Sequence, residues 1–177
     1  MYNRSMLAFL SEGNLKAHVE YAKDLRLKHS IIEKSLPEIK GKSSGELIRL
    51  PVKRSLKNEI LPNLISYEAH RTYFSSFTDR PAPSDIIRKE YGSESALCYK
   101  LFEAARSANY GFLYLYRDPR GRICFRTVLE PSEIMARENP LLLIDLFEHA
   151  YFSDYGYSYE KYLRAALAHL DFSRLAT

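Results

Sequence analysis

Two long stretches with helical periodicity, joined by a short connector, constrain the fold of this 177-residue chain more than any other feature. From Leu15 to about Leu36 the apolar residues recur at every third or fourth position, which predicts a helix capped by Asn14 and ended by Pro37. A second helix is predicted from about Lys53 to Phe77. We expect Pro62 to interrupt or restart it, because proline lacks the amide hydrogen that a helix interior needs. Since the connector KGKSSGE is short, the two helices are predicted to form an antiparallel hairpin.

A proline-rich segment, TDRPAPSD at 78–85, separates this helical half from a second half of different character. Two prolines within three residues favour a domain boundary, so we predict an N-terminal α-hairpin domain over 1–80 and a C-terminal α/β domain over 81–177. The later elements are predicted as a helix over 93–108, a β-hairpin over 111–116 and 122–129, a buried strand over 140–145 and a closing helix over 157–170. The predicted class is therefore α+β, with a three-stranded antiparallel sheet and surrounding helices after the hairpin.

The composition argues against several kinds of partner. Apolar residues make up 46% of the chain, enough for a core, but no apolar run approaches the length of a membrane span. The two cysteines, Cys98 and Cys124, provide neither a disulfide framework nor a thiolate zinc site, and the first residues make a poor signal peptide, so we predict a cytoplasmic protein. The net charge of +4 slightly favours anionic partners, but no dense basic block predicts nucleic-acid binding, and we expect neither nucleic acid nor membrane as a partner.

Four potential metal ligands are spread along the chain. His18 lies on the first predicted helix and His70 on the second, so a hairpin would let both imidazoles point inward. Asp145 and His149 lie four residues apart, where a buried strand passes into a helix, and face one direction. Three imidazoles and one carboxylate suit iron, manganese or zinc, and the lack of a thiolate argues against copper(I) or an iron–sulfur cluster. The residues alone leave open whether Asp145 and His149 hold a metal or are an acid and a base at one end of a helix.

Longer motifs around these residues resemble one known family. DLFEHAYF (145–152) resembles the signature of the iron/manganese superoxide dismutases, in which D-x-W/F-E-H is followed by a small residue and two aromatic residues. NLKAHVEYAK (14–23) and SYEAHRTYF (66–74) resemble the first and second ligand segments of that family. YLYRDPRG (114–121) resembles its sheet hairpin, and DYGYSYEKYLRAAL (154–167) resembles the tyrosine-rich start of its last helix. The resemblance covers nearly the whole chain, and its domain order agrees with the pattern of elements predicted above.

The resemblance implies a metal centre, a reaction and an assembly. His18, His70, Asp145 and His149 would bind one iron or manganese ion per subunit, with a solvent molecule as fifth ligand. The ion would oxidise one superoxide anion to dioxygen in its trivalent state and reduce a second to hydrogen peroxide in its divalent state. Glu148 would reach across a dimer interface to the ligand histidine of the partner subunit, so the resemblance also implies a homodimer.

The residues that surround the ligands in this family are changed here. Ala22 stands where the family has a histidine, and Arg26 stands where it has a gateway tyrosine that relays protons. The family's glutamine that hydrogen-bonds the metal-bound solvent comes from one of two positions, which match Ser66 and Leu129. The aromatic positions of the family's site, three of them tryptophans there, carry phenylalanine here: Phe74, Phe112, Phe147 and Phe152.

Three other side chains could compensate for these changes. Arg26 is the predicted catalytic residue, as a fixed positive charge that draws the superoxide anion inward, although most helix arginines face solvent. Tyr21 and Tyr67, one turn from His18 and His70 respectively, are candidate hydrogen-bond donors, with a place in the core as the simpler interpretation.

Three functions are compatible with this sequence. The first is a divergent superoxide dismutase with altered activity, supported by the complete ligand set. The second is a non-catalytic, dimeric superoxide-dismutase-like protein kept as a structural or interaction module, supported by the changed surroundings of the ligands. The third is a metal enzyme of another class, such as an oxygen-using iron enzyme or a zinc hydrolase.

Overall fold

A computed structural model of the chain describes residues 7–42, 46–47, 51, 53–130, 133 and 139–176. The predicted α+β class is confirmed. The helices are α1 (Glu12–Ser35), α2 (Arg54–Ser75), α3 (Asp85–Tyr91), α4 (Glu94–Ala108), α5 (Glu148–Tyr155) and α6 (Tyr159–Ala168). The strands are β1 (Phe112–Arg117), β2 (Ile123–Val128) and β3 (Leu142–Asp145). Short 3-10 helices cover Pro37–Ile39 and Phe172–Ala176. Within the ranges given, no helix is both long enough and apolar enough to cross a membrane.

The predicted helical hairpin is present, with α1 and α2 packed against each other. The cap of α1 is Ser11 rather than Asn14, because the Ser11 hydroxyl accepts the Asn14 amide hydrogen at 3.1 Å. The buried side chain of Asn14 instead donates to the Ala150 carbonyl at 3.2 Å, which ties α1 to α5. Pro37 follows the end of α1 as predicted. Residues 43–45 of the predicted connector lie outside the described residues.

The expected break at Pro62 is wrong, since α2 runs through this residue without interruption. A proline inside a helix costs about 3 kcal/mol, because it removes one hydrogen bond and crowds the preceding turn. Burial on the inner side of the hairpin offsets this cost. Leu64 packs there with Ile39 and Leu47 in a small second core at the far end of the hairpin.

The buried face of α1 is unusually polar. The residues that point into the protein are Asn14, His18, Ala22, Leu25, His29 and Glu33. A helix that only packs in a core would carry an apolar stripe at these positions. Burying imidazole and carboxylate groups costs free energy unless they are paired or bind a ligand, so this face indicates a site rather than simple packing.

The sheet brings the third ligand segment to the hairpin. Its strand order is β2-β1-β3 and both pairings are antiparallel, as predicted. Phe112 of β1 pairs with Val128 on one side and with Asp145 on the other. The end of α2 is attached to β3, because the Leu143 amide donates to the Ser76 hydroxyl at 2.8 Å. Asp145 is therefore held close to α2 by the backbone of the sheet.

One helix was not predicted, and one boundary stays a prediction. The helix α3 begins at the end of the proline-rich segment, and its seven residues are too few for a helix to be recognised by periodicity. The division of the chain at residue 80 into two domains stays a prediction. The larger core contains side chains from both sides of that division, among them Ala22 and Tyr73 from the hairpin and Phe112 and Leu143 from the sheet.

Candidate metal centre

Side chains from four elements converge at one point between the hairpin and the sheet. They are His18 on α1, His70 on α2, Asp145 at the end of β3 and His149 in the first turn of α5. One nitrogen or oxygen atom from each residue lies within 4.8 Å of the corresponding atoms of the other three. This four-residue cluster contains the side chains that the sequence singled out as metal ligands, and all four lie together.

Asp145 is fixed at the centre of the cluster. Its Oδ1 accepts the Phe147 amide hydrogen at 2.9 Å, and its backbone carbonyl accepts the Tyr162 hydroxyl at 2.6 Å. Its Oδ2 lies 3.1 Å from His149 Nε2 and 3.3 Å from His18 Nε2. Burial alone would raise the pKa of Asp145, but the neighbouring imidazoles, His149 foremost, hold it below its ordinary value. The carboxylate therefore supplies a buried negative charge.

His70 presents a lone pair to the cluster. Its Nδ1 donates to the Ser66 carbonyl at 2.6 Å, because a carbonyl oxygen can only accept. The neutral ring then carries its lone pair on Nε2, which lies 3.5 Å from Asp145 Oδ2 and 3.3 Å from His149 Nε2. Burial lowers the pKa of His70 to about 4, so the ring is neutral at pH 7. A hydrogen bond of this kind on the remote nitrogen is typical of metal-binding histidines.

His18 is buried without a hydrogen-bond partner. Its ring packs against Tyr73 and Phe74, with centroids 4.9 and 5.0 Å apart respectively. Neither of its ring nitrogens makes a hydrogen bond to the described part of the chain, although Nε2 lies 3.3 Å from Asp145 Oδ2. Buried polar atoms are rarely left in this condition, because each loses its hydration without compensation. A ligand that accepts the lone pair of His18 would remove that penalty.

The four side chains are spaced as ligands of one iron, manganese or zinc ion. Donor atoms that share one first-row ion at about 2.1 Å lie roughly 3 to 4 Å from each other. The separations from Asp145 Oδ2 to the three imidazoles, 3.1, 3.3 and 3.5 Å, agree with this spacing. The donor set of three nitrogens and one oxygen suits these metals.

The cluster is open to solvent beside His149. The other three side chains of the cluster are buried, whereas that of His149 is 35% exposed. Phe147 stacks on the His149 ring at 5.7 Å with an interplanar angle of 14°. Although burial acts to lower the pKa of His149, the hydrogen bond and charge of Asp145 raise it. Glu148, the predicted interface residue, is exposed next to His149. Small solutes therefore reach the cluster from this side.

Arg26, the predicted catalytic residue, makes its contacts elsewhere. Its Nη1 lies 2.9 Å from Glu33 Oε2, and its guanidinium lies 6.0 Å from the centre of the Tyr67 ring. Glu33 also accepts the Gly41 amide hydrogen at 3.0 Å, so this group links α1 to the turn that follows it. These contacts do not bring Arg26 to the four-residue cluster, and its role in attracting superoxide stays a prediction.

Tyr21 lies at the opening rather than in the core, which was the simpler prediction for it. Its ring lies 4.8 Å from that of His149 and 5.3 Å from that of His70, and the residue is 41% exposed rather than in the core. Burial and the negative charge of Asp145 raise the pKa of Tyr21. Its spacing of three residues from His18 was the available signal, but spacing alone does not tell which side of the helix faces the opening.

Three of the four phenylalanines at the altered aromatic positions lie against the imidazoles, whereas Phe152 is 45% exposed and contacts Tyr157. The ring of Phe74 lies 5.0 Å from that of His18, and the ring of Phe112 lies 6.2 Å from that of His70. Ala22 is buried in the larger core and offers no hydrogen bond from its side chain. Leu129, at one of the two glutamine positions, is largely exposed. The changed residues thus leave few polar side chains beside the cluster.

Comparison with known proteins agrees with the resemblance. Residues 80–177, more than half of the chain, match the family described as iron/manganese superoxide dismutases, C-terminal domain. A superoxide dismutase [Fe] from Cupriavidus metallidurans is 28% identical over 129 residues, which cover 69% of this chain and 66% of that protein. The chain thus spans slightly less than two thirds of the relative's length. The matched family region contains Asp145 and His149, and the fold brings His18 and His70 to them. The chain belongs to the iron/manganese superoxide dismutase family.

Proposed function

We propose that this protein is a superoxide dismutase that binds one iron or manganese ion per subunit through His18, His70, Asp145 and His149. The observation that carries the proposal is the four-residue cluster, in which a buried carboxylate, a buried imidazole without a hydrogen-bond partner and an imidazole with an oriented lone pair meet. The family and the named relative support the same reaction. When bound, the ion would pass one electron from one superoxide anion to another by alternating between its divalent and trivalent states.

The chain's own residues would prepare the site for this reaction. Asp145 would partly neutralise the positive charge of the bound ion. The Phe147 amide and the Tyr162 hydroxyl hold Asp145 in place. The exposed edge at His149 admits the small anion, and the net charge of +4 favours its approach. The overall reaction consumes two superoxide anions and two protons and yields one dioxygen and one hydrogen peroxide. The protons enter from solvent at the same open side.

The test of this proposal is metal content followed by turnover. The purified chain, reconstituted separately with iron and with manganese, is expected to retain about one ion per chain after exhaustive dialysis, as measured by elemental analysis. At least one loaded form is expected to accelerate the disappearance of superoxide above an equal concentration of the free ion. A protein that retains neither metal, or that retains it without accelerating superoxide loss, would contradict the proposal.

We also propose a homodimer, with Glu148 at its interface. Two exposed aromatic residues lie close to this glutamate in sequence: Phe152 is 45% exposed, and its ring lies 5.4 Å from that of the almost fully exposed Tyr157. Paired exposed aromatic side chains next to a functional opening are typical of surfaces that another protein covers.

The dimer proposal predicts a change in mass on substitution. The wild-type protein is expected to sediment at twice the chain mass, and Phe152→Glu is expected to shift it to the monomer at micromolar concentration, because the substitution would bury a charge in an apolar contact. Tyr99→Glu, at an exposed aromatic residue on α4, is the matched control and should leave the dimer intact. A monomeric wild-type protein, or equal behaviour of the two variants, would exclude this interface.

The second candidate function is a non-catalytic module with the same fold. Two features favour it: position 22 carries an apolar alanine, and Arg26 pairs with Glu33. Both make the surroundings of the cluster unlike those that the family resemblance implies for an active enzyme. It predicts a dimer that does not retain iron or manganese, so the metal measurement distinguishes the two. We propose a cytoplasmic location in either case, supported by Cys98 and Cys124, neither of which is in a disulfide.

A further inference from the structure

The open side of the metal centre is covered by a tyrosine. The Tyr21 ring lies over the two imidazoles nearest to the opening, those of His149 and His70, at 4.8 and 5.3 Å between centroids. The ring is 41% exposed, so one part faces solvent while the other faces the cluster. Tyr21 therefore borders the exposed edge of His149.

Ser66 lies beside Tyr21 and also positions a ligand. The side chain of Ser66 is close enough to Tyr21 to oppose the rise of the Tyr21 pKa, and the backbone carbonyl of Ser66 accepts the Nδ1 hydrogen of His70. Ser66 is buried, so both contacts are made in the wall of the opening rather than on the outer surface. One residue of α2 thus orients the His70 ring and lies beside Tyr21.

The other polar side chains near the hairpin are occupied elsewhere. Tyr73 is fully buried, with its hydroxyl 3.5 Å from that of Tyr162. Arg26 pairs with Glu33, and Tyr67 packs between the guanidinium groups of Arg26 and Arg71. Among the described tyrosines, Tyr21 is the one whose ring contacts both His70 and the exposed His149.

We propose that Tyr21, with Ser66 behind it, is the hydrogen-bond donor that orients a small anion at the open side of the metal centre. In the family, the resemblance gives this role to a tyrosine at the position of Arg26 and to a glutamine at the position of Ser66 or Leu129. Tyr21 would replace both. This inference rests on the proposed metal site, and it adds a residue that the family pattern does not supply. The ligand class is a small monoanion, with superoxide as the physiological case.

The test is the binding of azide, a stable monoanion, to the iron-loaded protein, followed by optical titration. Tyr21→Phe keeps the ring but removes the hydroxyl, and it is expected to raise the Kd for azide about tenfold, as for the loss of one hydrogen bond to a charged group. Ser66→Ala keeps the carbonyl that holds His70 and is expected to raise the Kd about threefold. Iron content and the midpoint of thermal unfolding should stay at the wild-type values in both variants.

Tyr110→Phe is the matched control. Tyr110 is also 41% exposed and lies near the same opening, 4.6 Å from the Phe147 ring, but none of its described ring contacts is to an imidazole of the cluster. This variant should bind azide with the wild-type Kd. Equal Kd values for the wild-type, Tyr21→Phe and Tyr110→Phe proteins would overturn the assignment, as would a loaded wild-type protein that binds no azide.

The same measurements separate this inference from the proposed function. An iron-loaded protein that binds azide through Tyr21 but does not consume superoxide would retain the anion site and refute the dismutase function. A loaded protein that consumes superoxide, with no effect of Tyr21→Phe on azide, would retain the function and refute the role of Tyr21. A wild-type protein that retains neither iron nor manganese would refute both.

Discussion

Asp145→Asn is expected to bind iron or manganese at least about 100-fold more weakly than the wild-type protein. The loss of a residue that only supports a metal ligand lowers affinity by up to about 100-fold, and the loss of a ligand should cost at least as much. The substitution removes the negative charge whose Oδ2 lies 3.1 to 3.5 Å from the three imidazoles. It keeps an oxygen that can accept the Phe147 amide hydrogen, as Asp145 Oδ1 does at 2.9 Å in the wild-type protein. The metal-free variant should therefore lose only about 1 to 2 kcal/mol of unfolding free energy. Competition with a chelator measures the first quantity and denaturant unfolding the second.

The control for this result is His29→Gln. His29 lies on the same face of α1 as His18, is fully buried, and also has no hydrogen-bond partner for its ring nitrogens in the described part of the chain. It approaches Glu33 rather than the four-residue cluster, at 3.4 Å from Oε1. Its replacement should leave metal affinity unchanged. If Asp145→Asn and His29→Gln retained metal equally, the four-residue cluster would not be the metal site.

The contrast between His18 and His29 also shows what the sequence could establish. Both histidines belong to the buried face of α1, and local spacing gives no reason to prefer one as a ligand. The longer motif around His18 selected it, because a ligand set is defined by segments far apart in the chain. His70, Asp145 and His149 were selected in the same way, and the fold brings them together.

The sequence could not predict features that depend on the direction of a side chain. Arg26 has the spacing of a residue that could face the cluster, but its guanidinium is drawn to Glu33. Tyr21 has a spacing compatible with the core, but its ring lies at the opening. Pro62 would end an isolated helix, whereas packing within the hairpin maintains α2. In each case a contact with another part of the fold determined the conformation. The spacing of residues along the chain does not show which such contacts will form.

The connection between the sheet and the metal centre gives the second large expected effect. Gly111 precedes β1 with a backbone φ of +97°, in the region that favours glycine. A Cβ atom at this position would lie 2.0 Å from the carbonyl oxygen of Val128 in β2, far inside contact distance. The Gly111 carbonyl also accepts the Leu146 amide hydrogen at 2.9 Å, directly after Asp145. A substitution here must therefore displace backbone on both sides of β1.

Gly111→Ala is expected to lower the unfolding free energy by about 3 kcal/mol or more, because the strain of a positive φ adds to a backbone collision. Gly92→Ala separates the two causes. Gly92, after α3, has a φ of +85° but nothing within 4 Å of the added Cβ, so its loss should be only about 1 kcal/mol. Denaturant unfolding at a constant m-value measures both variants. Similar losses would mean that backbone conformation alone governs Gly111. A larger loss at Gly111, with weaker metal retention in the folded fraction, would mean that the approach of β1 to β2 sets the position of Asp145.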